Sequence, residues 1–206
     1  MSKETRDLII GAVIAIIIVF ILNRFVITPY TVTGESMMPT FQTNDKVLVS
    51  KLSHYFSDIK EGDIIVFHED HNQDFIKRVI GKPGDTIEYQ NDQLYVNDKP
   101  IDEPYLNENK RHRKSEFLTE NFDVSDIEGA HHQYRIPKDH YLVLGDNRMN
   151  SIDSRHPNVG LVPQAHIVGK VVIRFWPLSR LTFRFNPGTF ELGYVYFYHQ
   201  NEIVIF

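Results

Sequence analysis

The sequence predicts a mainly β domain carried on one N-terminal apolar helix. Three observations predict it. Residues 8–22 read LIIGAVIAIIIVFIL without a charged side chain. From Pro29 onward the pattern changes to short period-two runs broken by Gly, Pro, Asn and Asp. The 206 residues are 42% hydrophobic and 12% aromatic, enough to bury one sizeable core, or a core with a small appendage.

The helix comes first. Crossing the bilayer core takes about 20 apolar residues. Here 15 are uninterrupted, Asn23 and Arg24 can reach the interface, and Phe25, Val26 and Ile27 extend the apolar run, so a membrane-spanning helix is expected over 8–27. Lys3, Arg6 and the α-amino group precede it and Arg24 alone follows closely. That bias puts the N-terminus in the cytoplasm and everything after about Thr28 outside. A cleavable leader has a similar start, but residues 23–30 (NRFVITPY) contain no pair of small residues two apart, so the helix is expected to remain as an anchor.

Beyond it, residues 46–52 (KVLVSKL), 63–68 (DIIVFH), 75–80 (FIKRVI), 86–89, 94–97, 140–144 and 167–175 are rich in β-branched and aromatic side chains and are expected as strands. Asn91 and Asp92 separate two of them, so TIEYQ-ND-QLYVN reads as a tight hairpin. Residues 100–133 turn polar and read as an insertion or cap; its basic cluster, 110–114 (KRHRK), is read as a solvated loop rather than a head-group contact. The tail FELGYVYFYHQNEIVIF is aromatic and apolar again, fitting an edge hairpin or an interfacial contact. The expected organisation is an anchor over 1–27, a β core over 28–99 and 134–187, a polar insertion over 100–133 and an aromatic tail over 188–206.

Composition narrows the function. A net charge of −5, with 22 basic residues scattered among 27 acidic ones, gives no electrostatic footprint for nucleic acid. The absence of cysteine removes disulfides, thiolate metal sites and a cysteine nucleophile, so covalent chemistry falls to Ser, Thr, Lys, His, Tyr or a carboxylate. The 10 histidines include His68 and His71 in HEDH, which is not the H-E-x-x-H spacing of a helical zinc site, and no metal is expected.

Ser36, in GESMMP, does not fit the G-x-S-x-G elbow. It lies about ten residues past the expected membrane exit, and Gly34 before it permits the close backbone approach of an oxyanion site. Met37 and Met38 beside it read as core packing, with contact to substrate or lipid as the alternative. Lys77 sits mid-strand in FIKRVI, on the face of Phe75 and Val79 by alternation. An apolar surrounding there lowers an ammonium pKa towards a useful base. Ile76 and Ile80 give the opposite face, that of Arg78, equal apolar weight, so alternation leaves open which of the two cations is buried.

The boxes TPYTVTGESMMPT, DFIKRVIGKPGDTIE and GDNRMNSIDSR, with EGDIIVF and GKVVIRFWP as flanking strands, stand in the order found in type I signal peptidases, the bacterial leader peptidases, and the chain resembles their short Gram-positive type. The resemblance implies an antiparallel β-sheet catalytic domain of signal-peptidase type with a small cap. It further implies a Ser/Lys dyad protease with Ser36 as nucleophile, Lys77 as general base, Ser151 orienting the lysine and Asp153 and Arg155 as an ion pair behind it. Where many relatives carry a hydroxyl two residues before the nucleophile, this chain has Gly34, leaving the Ser36 N–H as the main oxyanion donor. The implied substrates are preprotein signal peptides with small residues one and three positions before the cut, the implied partners the lipid bilayer and the secretion translocon, with no cofactor. Against this stand a catalytically silent membrane-tethered β module that binds without cutting, and a self-cleaving repressor, which would need a DNA-binding domain in place of the helix.

Overall fold

The computed structural model describes residues 2–21, 26–52, 59–69 and 73–186. Helix α1 (Lys3–Ile21) is followed by strands β1 (Ile27–Thr31), β2 (Lys46–Ser50), β3 (Ile64–His68), β4 (Asp74–Gly81), β5 (Ile87–Gln90), β6 (Gln93–Val96) and β7 (Lys99–Ile101). After them come helix α2 (Asn107–His112) and strands β8 (Phe122–Asp123), β9 (His140–Leu144), β10 (Val162–Pro163) and β11 (Ile167–Trp176). The mainly β, antiparallel reading is right.

The helix expected to reach Ile27 does not. Ile27 already pairs with Ser50 in β1, because Val26, Ile27 and Thr28 are β-branched and Pro29 disfavours helix before it and lacks an amide donor. At its other end α1 takes in Lys3, Glu4, Arg6 and Asp7. Among the described residues no helix is long and apolar enough to cross a membrane. Residues 22–25 and the tail 188–206 lie outside the described residues.

Seven strands form one sheet in the order β1-β2-β11-β3-β4-β9-β10, and β7-β6-β5-β8 form a smaller one. The expected hairpin is present: Gln90 pairs with Gln93, and Asn91 and Asp92 both take positive φ (50° and 66°), as a two-residue turn matched to strand twist requires. Asp92 then accepts from the amides of Leu118 (2.7 Å) and Thr119 (2.6 Å), which ties the polar segment back to the hairpin. That segment buries Leu106, Leu118, Val124, Ile127 and Ala130.

Three apolar clusters hold the layers together. Ile80, Ile87, Leu94, Val124, Ile136 and Leu142 pack between the two sheets. Val32, Met37, Phe41, Val47, Ile64 and Val66 pack on one face of the large sheet, and Ile65, Phe67, Val79, Tyr141 and Val143 on its other face. Strand β3 is therefore apolar on both sides, which explains its unbroken IIVF run. The large sheet curls so far that edge strand β1 returns over β4: Tyr30 Oη donates to Asp74 Oδ2 at 2.9 Å, although three strands separate their own in the sheet.

Gly169 sits where β11 crosses β2, and a Cβ there would lie 2.2 Å from the Ser50 carbonyl oxygen. Gly169→Ala is expected to destabilise the domain by about 2–3 kcal/mol, because the neighbour is backbone and cannot swing away. Urea unfolding followed by circular dichroism checks this; an unchanged midpoint would mean the strands separate at little cost.

Candidate active site

Strand β4 delivers two cations to opposite sides. Arg78 is fully buried and makes a bidentate pair with Asp146, Nε to Oδ1 at 2.8 Å and Nη2 to Oδ2 at 2.7 Å. Its guanidinium lies 3.9 Å from the centre of the Tyr105 ring. Lys77 is 3% exposed and ends the stretch of β4, 74–77, that pairs only with β3. Alternation left open which cation is buried; both are.

The Lys77 Nζ lies 2.9 Å from Ser36 Oγ and 3.0 Å from the Ile76 carbonyl, with the Phe75 ring centre 4.9 Å away. Burial lowers its pKa from 10.5 to about 8, while Asp153 and Asp146 pull it back up. Those carboxylates act weakly because each has its own guanidinium, Arg155 for Asp153 and Arg78 for Asp146. Near neutral pH a useful fraction of the amine is uncharged and can take a hydroxyl proton.

Ser36 is half-buried in the loop between β1 and β2. Its carbonyl accepts from the Asn147 amide at 2.9 Å, and Asn147 Nδ2 donates to the Glu35 carbonyl at 3.1 Å. Asn109 Nδ2 bridges the Met38 carbonyl (2.9 Å) and the Asp146 carbonyl (2.8 Å), and Thr40 donates to Asp146 Oδ2 at 2.5 Å. Met37 is buried in the core, and Met38 is half-buried. Gly34 takes φ +94°, a left-handed conformation that suits glycine, and is pinned through Thr43 Oγ1.

The third box closes the site from behind. Asp153 is fully buried and accepts from the Gly145 amide (2.9 Å) and from Arg155 Nε and Nη2 (both 2.9 Å). Burial pushes its carboxyl up, but Arg155 and the Gly145 amide outweigh that and hold it below the ordinary value. The Ser151 hydroxyl is buried without a hydrogen-bond partner of normal geometry among the described residues, although it lies near enough to Asp153 to help hold that carboxyl down. It is not hydrogen-bonded to Lys77, whose amine is satisfied by Ser36 and Ile76. Ser151 nonetheless lines the same cleft as Gly34, Ser36 and Lys77, a cavity of about 660 Å³ walled by Val32, Val47, Val66 and Ile76.

Residues 5–176 match the family described as Signal peptidase, peptidase S26. The chain belongs to this family. It is 47% identical to a signal peptidase IB of Staphylococcus aureus (strain MRSA252), over 91% of this chain and 97% of that one. A signal peptidase I of Bacillus caldolyticus is 45% identical, over 89% of this chain and 98% of that one. A crystal structure of a signal peptidase I from Enterococcus faecalis V583 aligns with a TM-score of 0.49 at 40% identity, over 54% of this chain and 95% of that one.

Sequence reasoning singled out the dyad but did not foresee that Asp146 and Asn147 hold the serine loop, and it missed Asn109 and Thr40. The first two lie in a box already noticed. Asn109 had no signal, since it sits in a polar stretch where asparagine is ordinary.

Two outcomes follow from the buried amine. Below pH 8 the folded chain must either keep a charge out of water or release a proton that the unfolded chain holds up to 10.5. Stability from this group is therefore lowest below pH 8 and recovers as pH rises from 8 to 10.5. Lys77→Met should be more stable than the parent by about 3 kcal/mol at pH 7, with the gap closing towards pH 10.5, in urea unfolding at a series of pH values. Arg155→Gln leaves the Asp153 carboxylate uncompensated and should raise the Lys77 pKa by about one pH unit, visible as the same displacement of the rising limb of kcat/KM. An unmoved limb would show that Asp153 does not act on the amine.

Proposed function

We propose that this chain is a membrane-anchored serine endopeptidase that removes signal peptides from exported preproteins, with Ser36 as nucleophile and Lys77 as general base. The observation that carries it is the 2.9 Å approach of the Ser36 hydroxyl to a buried amine with a pKa of about 8. The near-complete coverage of relatives named signal peptidase I and IB supports the substrate class. The catalytically silent alternative has no such support.

In this reading an extended substrate lies between the segment after β1 and the β4 edge over 74–77, pairing its backbone with theirs. Ser36 Oγ attacks the scissile carbonyl carbon as its proton passes to Lys77 Nζ, and the oxyanion is met by the Ser36 N–H. Collapse of that intermediate breaks the C–N bond, and the lysine ammonium returns the proton to the leaving amine. Water, deprotonated by the same amine, then releases the signal peptide from the serine ester. The β-branched walls Val32, Val47, Val66 and Ile76 leave shallow space, which favours small side chains beside the cut.

The apolar run 8–22 serves as the anchor, N-terminus in the cytoplasm, with residues 28–187 outside as the catalytic domain and 100–133 as its insertion. Sharing one surface with the substrate's own apolar segment raises the effective concentration, and the secretion translocon is the natural neighbour there.

Detergent-solubilised chain given a precursor with a small-residue cleavage site should cut it, with kcat/KM rising with pH to a plateau above about 8. Ser36→Ala and Lys77→Ala should each lower the rate by about 1,000-fold or more, and EDTA should have no effect. Cleavage persisting in both variants would end the dyad reading, and inhibition by EDTA would point to a metal.

A further inference from the structure

Ser36 sits inside a four-residue turn over 35–38, closed by the Met38 N–H on the Glu35 carbonyl at 3.0 Å. All four carbonyls of the turn are engaged. Glu35 accepts from Asn147 Nδ2 as well as from Met38, Ser36 from the Asn147 amide at 2.9 Å, Met37 from the Phe41 amide at 2.9 Å, and Met38 from Asn109 Nδ2 at 2.9 Å. The first three holds come from the loop itself or from the third box. The last comes from α2, in the stretch expected from sequence to be a polar cap. Asn109 uses both N–H bonds of one amide, the second on the Asp146 carbonyl at 2.8 Å, so it locks the end of the turn to the residue that pairs with Arg78 on β4. The Ser36 N–H, by contrast, donates to nothing among the described residues.

We propose that Asn109 is a positioning residue for the nucleophile: it fixes the peptide at the end of the turn, so that the Ser36 hydroxyl stays on Lys77 and the Ser36 N–H stays free to meet the oxyanion. The inference rests on the reading of Ser36 and Lys77 as a dyad. A peptide unit is planar, so a carbonyl held at its oxygen sets the direction of the whole unit. With the carbonyls on both sides of Ser36 pinned, the residue between them has little freedom to rotate. Without Asn109 the Met38 carbonyl is released, and the 2.9 Å approach of Ser36 Oγ to Lys77 Nζ is held only from the side of Asn147. Misplacing a reacting atom by about 1 Å costs on the order of 100-fold in rate. Helix α2 does not need this amide to keep its place. Lys110 and Arg113 reach Asp92 at 3.4 and 3.3 Å, and just before the helix Tyr105 covers the Arg78 guanidinium at 3.9 Å and donates to Glu103 at 2.6 Å. The amide is therefore removable without unfolding the insertion.

The test compares wild type with Asn109→Ala and Asn109→Asp on one precursor with a small-residue cleavage site, as kcat and KM over pH, with urea unfolding of each. Asn109→Ala should lower kcat about 100-fold, leave KM within about two-fold, and leave the rising limb of kcat/KM where wild type has it, near pH 8, because no charge beside Lys77 has changed. Asn109→Asp keeps the shape but offers no donor at neutral pH, and should recover none of the loss. A merely structural role would lower the folded fraction and leave the activity of the folded molecules intact. A kcat for Asn109→Ala within about three-fold of wild type once corrected for the folded fraction, a KM change that accounts for the loss, a limb displaced by about one pH unit, or full activity in Asn109→Asp overturns the positioning role, while wild-type cleavage keeps the dyad reading intact. Failure of wild type to cut the precursor, or its cleavage by Ser36→Ala, overturns both.

Discussion

A lysine amine kept out of water beside a serine hydroxyl is the constraint around which this domain is built. Burial disfavours the ammonium, and the ordinary remedy, a free carboxylate partner, would restore the charge and end its use as a base. Two carboxylates do stand nearby, yet both are engaged: Asp146 by Arg78 and Asp153 by Arg155. Lys77 and Arg78 are adjacent in sequence and project from opposite sides of β4, so one strand sets the base and anchors the ion pair behind it. The fold surrounds the amine with neutral pairs rather than with net negative charge.

The same ion pair reaches the nucleophile. Asp146 holds Arg78 with its carboxylate, takes the Thr40 hydroxyl on one of the same oxygens, and shares the Asn109 amide with Met38 through its carbonyl. Next to it, Asn147 binds the Ser36 carbonyl. The loop that carries Ser36 is thus fastened on both sides of the serine to residues that also fix β4. Gly145 makes that approach possible, since a Cβ there would lie 2.2 Å from Ser151 Oγ and 2.5 Å from the Ser36 carbonyl oxygen.

What could be read from the sequence follows from which signals are local. β-branched runs and an Asn-Asp turn are local, so seven strands and the hairpin were legible. Strand β1 was not, because its apolar start continues the helical run and only pairing with β2 distinguishes strand from helix. Alternation could not rank Lys77 against Arg78, because a strand covered on both faces has no solvent side to break the tie. The ordered boxes marked Ser36, Lys77, Ser151, Asp153 and Arg155 as one site, but no local pattern predicts whether a serine will rotate towards a lysine or towards nothing. Asn109 acts through a contact 71 residues away from Met38, with nothing near it in the chain to suggest one.

The distribution of buried charge shows what this arrangement costs the fold. Besides the two pairs around the dyad, Arg148 and Glu103 are buried together under the small sheet, where Glu103 Oε1 also takes the hydroxyls of Tyr89 and Tyr105 and its Oε2 has no hydrogen-bond partner among the described residues. Replacing such pairs with apolar side chains of similar volume is often neutral or stabilising in other proteins, so stability alone does not account for these three. Position does. Arg148 Nε holds the Gly145 carbonyl, and Arg155 Nη2 holds the Arg148 carbonyl, so the pair under the small sheet is wired to the one behind Lys77. Each ion pair fixes a backbone carbonyl or amide of the third box in a direction that apolar packing, which has no angular preference, could not specify. The domain gives up some stability for a rigid frame, and that frame lets a neutral amine and a hydroxyl meet at hydrogen-bond distance before any substrate arrives.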